Sequence, residues 1–285
     1  MIAPAPCFDQ LGPSTPHSPI VLSVPHAGRD YPDAMLSALR APLAALRVLE
    51  DRHVDAVARA AQGRETLFIQ RTARAWIDLN RAEQERDPKL DDGADMRTQA
   101  TASAKLRSGL GLVPRRVAGA GDIWRKRLTD ADVMSRIEQA HRPYHRALGA
   151  ALNAARARFG VAVLLDIHSM PPLLMPEPVP RIVLGDRFGQ SAADRFVSRL
   201  QVEIDAARLP HALNTPYAGG HILARHAAPA RGVHAIQIEF DRRLYLDAVL
   251  AAPGPGLAFI AALLRQMIDS LADEALAGRL AAAAE

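Results

Sequence analysis

Two hydrophobic periods divide this 285-residue chain between them. Short, nearly unbroken apolar runs predict buried strands over Ile20–Val24, Thr66–Gln70, Ala75–Leu79, Val161–Ile167, Arg181–Leu184 and His234–Phe240. Val161–Ile167 is the strongest, because Val, Leu and Ile dominate it as they do a central strand covered on both faces. Apolar positions three and four apart predict helices elsewhere. Over Asp130–Phe159 they are Val133, Ile137, Ala140, Tyr144, Leu148 and Leu152, with Gly160 as the stop. Ser191–Ala207 and Gly256–Leu276 read the same way. Asp33–Ala61 predicts two helices broken near Pro42, with Glu50, Asp51, Arg52 and His53 placed on a helix. Arg81–Asp122 follows neither period. A long irregular stretch inside a compact domain usually serves as a lid or binding loop. Strands alternating with helices predict an α/β fold with a mixed, mostly parallel sheet. The expected organisation is a single domain over residues 19–285 behind a flexible, proline-rich segment 1–18, with an alanine-rich tail after Leu280.

Composition removes several function classes. The chain is 49% hydrophobic and 23% charged, enough apolar material for a sizeable core and too much for a disordered protein. No run approaches the roughly 18–20 apolar residues of a membrane span. No charged stretch followed by an apolar one marks a secretory signal. Cys7 is the one cysteine, which excludes an internal disulfide and a cysteine-based zinc site. A cytoplasmic protein is expected. A net charge of +4 and a pI near 9.6 raise the question of nucleic acid. The arginines are spread along the chain, however, and aromatic residues that would stack on bases make up only 5%. A solvated basic surface is the simpler reading and an anionic small molecule the next. No nucleic-acid partner is expected.

The polar residues with most chemical potential stand at the ends of predicted strands. Ile20–Val24 runs into His26, Ala75–Leu79 into Asn80 and Arg81, Val161–Ile167 into His168, and Ala235–Ile238 into Glu239. Ligand crevices of open α/β sheets lie beyond the carboxyl ends of strands. Each residue has a plainer reading. His26 could cap a turn, and Asp166 with His168, two apart on one strand face, could be a buried structural pair. Asp51 could sit on a solvated helix face, and Glu239 could pair with Arg242 or Arg243. Taken together they suit a two-histidine, one-carboxylate zinc site with an open position for water. In that reading Asp166 orients His168, and Glu239, shielded by Ile238 and Phe240, is the general acid/base. Arg74, Asn80 and Arg81 would clamp a substrate carboxylate, since a guanidinium fork matches it bidentately.

Six ordered motifs extend this. They are Ser23-Val-Pro-His26-Ala-Gly28, Arg74-Ala-Trp-Ile-Asp78-Leu-Asn80-Arg81, Leu165-Asp166-Ile-His168-Ser169-Met170, Leu184-Gly185-Asp186-Arg187-Phe-Gly189, Asn214-Thr-Pro-Tyr217-Ala-Gly219-Gly220 and Gln237-Ile-Glu239. Over roughly residues 19–250 the chain resembles the N-formylglutamate amidohydrolase family. The resemblance implies a fold similar to the zinc carboxypeptidases, a mixed sheet with helices on both faces. It implies one zinc ion held by His26, Asp51 and His168, with Glu50 the alternative to Asp51. It further implies Glu239 as the catalytic residue, and Arg74, Asn80, Arg81, Tyr217, Gly219 and Gly220 around the substrate. The implied reaction is hydrolysis of N-formyl-L-glutamate to formate and glutamate, within histidine degradation. The alternatives are hydrolysis of another N-acyl amino acid or peptide-like amide, and, in a different class, a non-catalytic basic binding protein.

Overall fold

The computed structural model describes residues 7–95 and 103–282. Its strands, in chain order, are β1 (Phe8–Leu11), β2 (Ile20–Val24), β3 (Thr66–Gln70), β4 (Arg116–Val117), β5 (Gly121–Asp122), β6 (Ala162–Met170), β7 (Ile182–Gly185), β8 (His211–Leu213) and β9 (Val233–Asp241). The helices are α1 (Asp33–Ala38), α2 (Val54–Ala61), α3 (Ala104–Arg107), α4 (Asp130–Arg136), α5 (Arg142–Phe159), α6 (Asp194–Ala206), α7 (His221–His226) and α8 (Leu257–Ala282). Seven strands make one sheet in the order β1-β3-β2-β6-β9-β7-β8. The β2–β3, β2–β6, β6–β9 and β7–β8 pairs are parallel and β7–β9 is antiparallel, so the sheet is mixed and mostly parallel, as expected. Every residue of β6 and β9 is buried. Successive side chains of a strand point to opposite faces, so the sheet is covered on both sides at its centre.

The described chain divides into two compact units. One holds the sheet and comprises Gln10–Val24, Arg52–Ile69 and the chain from Leu148 onward. Its α8 packs against α2 and α6 and buries Ile260, Leu264, Met267, Ile268 and Leu271. The Arg265 guanidinium holds the buried Glu65 carboxylate at 2.8 Å. Burial alone would raise the Glu65 pKa, but the Arg265 and Gly63 hydrogen bonds outweigh it and lower the value. On β9, His234 accepts a hydrogen bond from the Ala193 amide at Nδ1 (3.2 Å) and lies against the Phe196 ring at a tilt of 47°. Burial, and then the Arg195 charge, pushes the His234 pKa down to about 4.

The other unit comprises the N-terminal residues to Asp9, Pro25–Asp51 and Gln70–Ala147. Its core is built from Met35, Leu46, Ile77, Leu112, Ile123, Trp124, Val133 and Ile137. Two sequence expectations fail here. Ala75–Leu79 is not a strand. Its apolar residues are buried, but the backbone turns: the Trp76 amide bonds Ala73 O, Asp78 N bonds Leu112 O and Arg81 N bonds Asp78 O. Packing into an irregular core produced the apolar run that resembled a strand. Glu50–His53 is not helical either. The segment links a 3₁₀ stretch, Leu43–Leu49, to α2, and His53 takes a left-handed φ of 57° that no α-helix passes through.

Asp130–Phe159 is helical as expected, through α4, a π-helical turn Ile137–His141, and α5. The described part of Arg81–Asp122 contributes to the core of this unit. Leu90, Leu112, Val113 and Val117 enter the core, while Arg86 binds Asp91 and Arg115 binds Asp87. Residues 96–102 of that stretch lie outside the described residues, as do residues 1–6 of the N-terminal segment and residues 283–285 of the tail. Within segment 1–18, Phe8–Leu11 forms strand β1. No described helix is long and apolar enough to cross a membrane.

Candidate active site

In the sheet unit, the register places the candidate side chains in rows. Ser23 on β2, Asp166 on β6 and Gln237 on β9 are consecutive neighbours, and two residues further along β6 and β9 His168 stands beside Glu239. Each row lies on one face, because residues two apart in a strand share it. Asp166 is fully buried and links the rows. Its Oδ1 accepts from the Ser23 hydroxyl at 2.7 Å, and its Oδ2 lies 2.9 Å from His168 Nε2. Gln237 Nε2 donates to Glu239 Oε1 at 3.0 Å. Glu239 is buried and is thus oriented by an amide on its own strand and face.

The Tyr217–Gly220 segment reaches the same region of the sheet through β7. Gly185 pairs with Gln237, and a Cβ on Gly185 would fall 2.7 Å from the Ala218 carbonyl carbon, so only glycine admits this close approach. Gly219 has φ +102°, and a Cβ there would meet Leu223 Cδ2 at 2.4 Å.

In the other unit, buried Asp78 organises a second set. His26 Nε2 lies 2.7 Å from its Oδ1, which also accepts the Asn80 amide at 2.8 Å. Arg74 donates to Oδ2 through Nε and Nη2, both at 2.9 Å, and Arg81 Nε stands 3.8 Å away. Burial alone would raise the Asp78 pKa. The charges of Arg74, His26 and Arg81 outweigh it and hold the carboxyl well below its usual range. Asp51 is brought to His26 by its backbone, through a 2.9 Å bond from its amide to His26 O, and its Oδ2 lies 3.7 Å from His26 Nδ1. Glu50 instead accepts the Tyr31 hydroxyl.

The expected residues therefore fall into two groups: His26, Asp51, Arg74, Asn80 and Arg81 in one unit, and Asp166, His168, Tyr217, Gly219, Gly220 and Glu239 in the other. Asn80 and Arg81 stand in a turn and not at a strand end. Arg74 is engaged with Asp78, so it braces the site more directly than it offers a free fork. The sequence alone assigns no role to Asp78, Ser23 or Gln237. For Asp78 a signal existed: an acid between Ile77 and Leu79 in an apolar run is buried, and a buried carboxylate needs partners. Each histidine holds a carboxylate at Nε2, which fixes the ring and leaves Nδ1 as the donor atom. Metal-binding histidines are normally braced this way.

Comparison with known proteins bears on this arrangement. The family model described as N-formylglutamate amidohydrolase matches residues 18–246. The N-formylglutamate deformylase of Pseudomonas putida is 32% identical over 236 residues, covering 80% of this chain and 82% of the relative. That of Pseudomonas aeruginosa is 28% identical over 265 residues, covering 89% and 92%. The crystal structure of an N-formylglutamate amidohydrolase from Ralstonia eutropha JMP134 superposes with a TM-score of 0.88 at 31% identity, covering 96% of this chain and all of the other.

Proposed function

The chain belongs to the N-formylglutamate amidohydrolase family, and from that membership we propose that it hydrolyses the formamide bond of N-formyl-L-glutamate, with a zinc ion held by His26, Asp51 and His168. The observation that carries this reading is the extent of the family match: residues 18–246 include every residue given a role here.

The donor set fits a zinc ion. Two imidazoles and a carboxylate, without cysteine, leave a coordination position open, the composition of catalytic zinc sites. Asp78 and Asp166 brace the two rings at Nε2. Asp51 is assigned over Glu50 because its carboxylate lies beside His26, whereas Glu50 is engaged by Tyr31. When bound, zinc supplies a Lewis acid and lowers the pKa of a coordinated water to about 7.

Glu239 stands beside His168 and receives the proton of the attacking water. As the formyl carbon–nitrogen bond breaks, Glu239 returns that proton to the departing nitrogen, and formate and glutamate leave. Gln237 keeps the Glu239 carboxylate aimed during both transfers. Arg81, with Asn80, takes the substrate carboxylate. Tyr217, Gly219 and Gly220 form a wall that lets the substrate approach backbone closely.

The experiment is a panel of N-formyl and N-acetyl amino acids with and without added zinc. N-formyl-L-glutamate is expected to be the best substrate, with zinc required. A preference for N-acetyl substrates would move the chain to a broader acylamino-acid hydrolase. Absence of turnover on the whole panel would leave a binding protein.

A further inference from the structure

The sheet unit carries a second concave site. A cavity of about 200 Å³ is lined by residues of α5, α7, the turn after α7 and the start of β9. Arg156, Arg225 and Arg231 line it with His226 and Asn153, and no aspartate or glutamate does. Among the described residues none of these three arginines has a carboxylate within ion-pair distance. Elsewhere in the molecule Arg86, Arg115, Arg142, Arg243 and Arg265 all have such partners. Arg156 is held in place by a bond from Nε to the Arg231 carbonyl. Three arginines lining one space with no carboxylate beside them leave it with a positive charge that an anion would neutralise.

Gly149 is an independent sign. It lies inside α5, where glycine costs about 1 kcal/mol relative to alanine. No backbone approach demands it: a Cβ would meet only His226, at 3.7 Å, ordinary contact. What the missing side chain does is leave the cavity open, since Gly149 is one of its walls.

The cavity is not the proposed active site. Val233, which lines it, begins β9, and Glu239 is six residues on. At about 3.3 Å per residue that is about 20 Å along the strand.

We propose that this cavity binds a small phosphate-bearing anion. Guanidinium forks match phosphate oxygens, and three around one compact space suit a tetrahedral group better than an extended one. The volume exceeds that of inorganic phosphate, so a small phosphate ester fits as well. The inference does not depend on the proposed reaction.

Isothermal titration of the full-length protein in chloride buffer at constant ionic strength tests it, with inorganic phosphate, glycerol 3-phosphate and succinate as probes. One phosphate or ester is expected per chain, bound more tightly than succinate. Arg225→Ala and Arg231→Ala should each weaken binding by about tenfold, the scale of one lost charge-assisted contact. Gly149→Leu, which fills the space and removes no charge, should abolish binding while improving helix propensity. The exposed arginines are not in the core, so their variants will fold. No saturable binding overturns the proposal. So does binding that survives all three substitutions, which would place the anion elsewhere, and so does succinate binding as tightly as the phosphates.

Discussion

Replacing Asp78 by asparagine is the most informative single perturbation, because one buried carboxylate serves His26, Arg74 and Asn80 together. Asparagine keeps the shape but offers one carbonyl oxygen, and its NH₂ would face Arg74 or His26, donor to donor. Breaking a buried ion pair from one side costs about 3–5 kcal/mol. The Arg74 side chain is 19% exposed, so water recovers part of that, and about 2–4 kcal/mol is expected. Loss of a carboxylate behind a metal histidine typically weakens metal binding ~10- to 100-fold. Two assays follow: urea unfolding of metal-free protein, and zinc titration against a chromophoric chelator. The sign with pH is fixed. The Asp78 pKa in the fold lies below its ordinary 3.8, so its stabilisation is present above about that pH and is lost as pH falls through the lower folded value. The wild-type advantage should therefore persist from neutral pH to about 4 and collapse below it. An Asp78→Asn protein with wild-type unfolding midpoint and wild-type zinc affinity refutes the reasoning.

Glu239→Gln should retain metal and lose about 10²- to 10⁴-fold in kcat, because glutamine is nearly isosteric but cannot take the water proton; a loss below about tenfold would reassign the base. Arg81→Lys should lower kcat/KM for N-formyl-L-glutamate by roughly 2–5 kcal/mol of lost carboxylate pairing, with metal content unchanged. Equal losses on an analogue whose α-carboxylate is an amide would remove Arg81 from the clamp. His234 is neutral in the fold with a pKa of about 4, against 6.5 ordinarily, so its contribution is present above 6.5 and is lost as pH falls towards 4. His234→Asn, whose carbonyl can still accept from Ala193, should flatten the loss of urea stability between those values. An unchanged slope would assign the acid sensitivity to other groups.

The sheet was legible because its central strands are buried on both faces and therefore read as apolar runs whatever lies around them. His234–Phe240 falls within one residue of the observed β9 at each end, and Val161–Ile167 starts within one residue of β6, which runs three residues further, to Met170, and takes in His168. Edge strands were not legible. Phe8–Leu11 and His211–Leu213 are short and only partly buried, so they carry no run. Ala75–Leu79 misled because burial in an irregular core leaves the same short apolar run as a buried strand. What fixes that segment is the Asp78 carboxylate and hydrogen bonds to distant backbone, which leave no periodic trace. Asp51 was singled out from a helix that does not exist, and its place depends on a backbone bond to His26, 25 positions earlier. In the candidate site, Asp166 and His168 were readable as a pair because strand geometry alone brings i and i+2 to one face. The His26–Asp78 pair required the tertiary fold.

The central claim is metal-assisted hydrolysis of a formamide, and the direct measurement is formate release from N-formyl-L-glutamate against zinc bound per chain. Metal is removed with a chelator and returned stepwise. The account predicts no turnover in the metal-free protein and a linear rise to a plateau at one equivalent, with His168→Ala failing to bind the ion or to recover. Full formate release from metal-free protein, or zinc binding at one equivalent with no release at all, would contradict it.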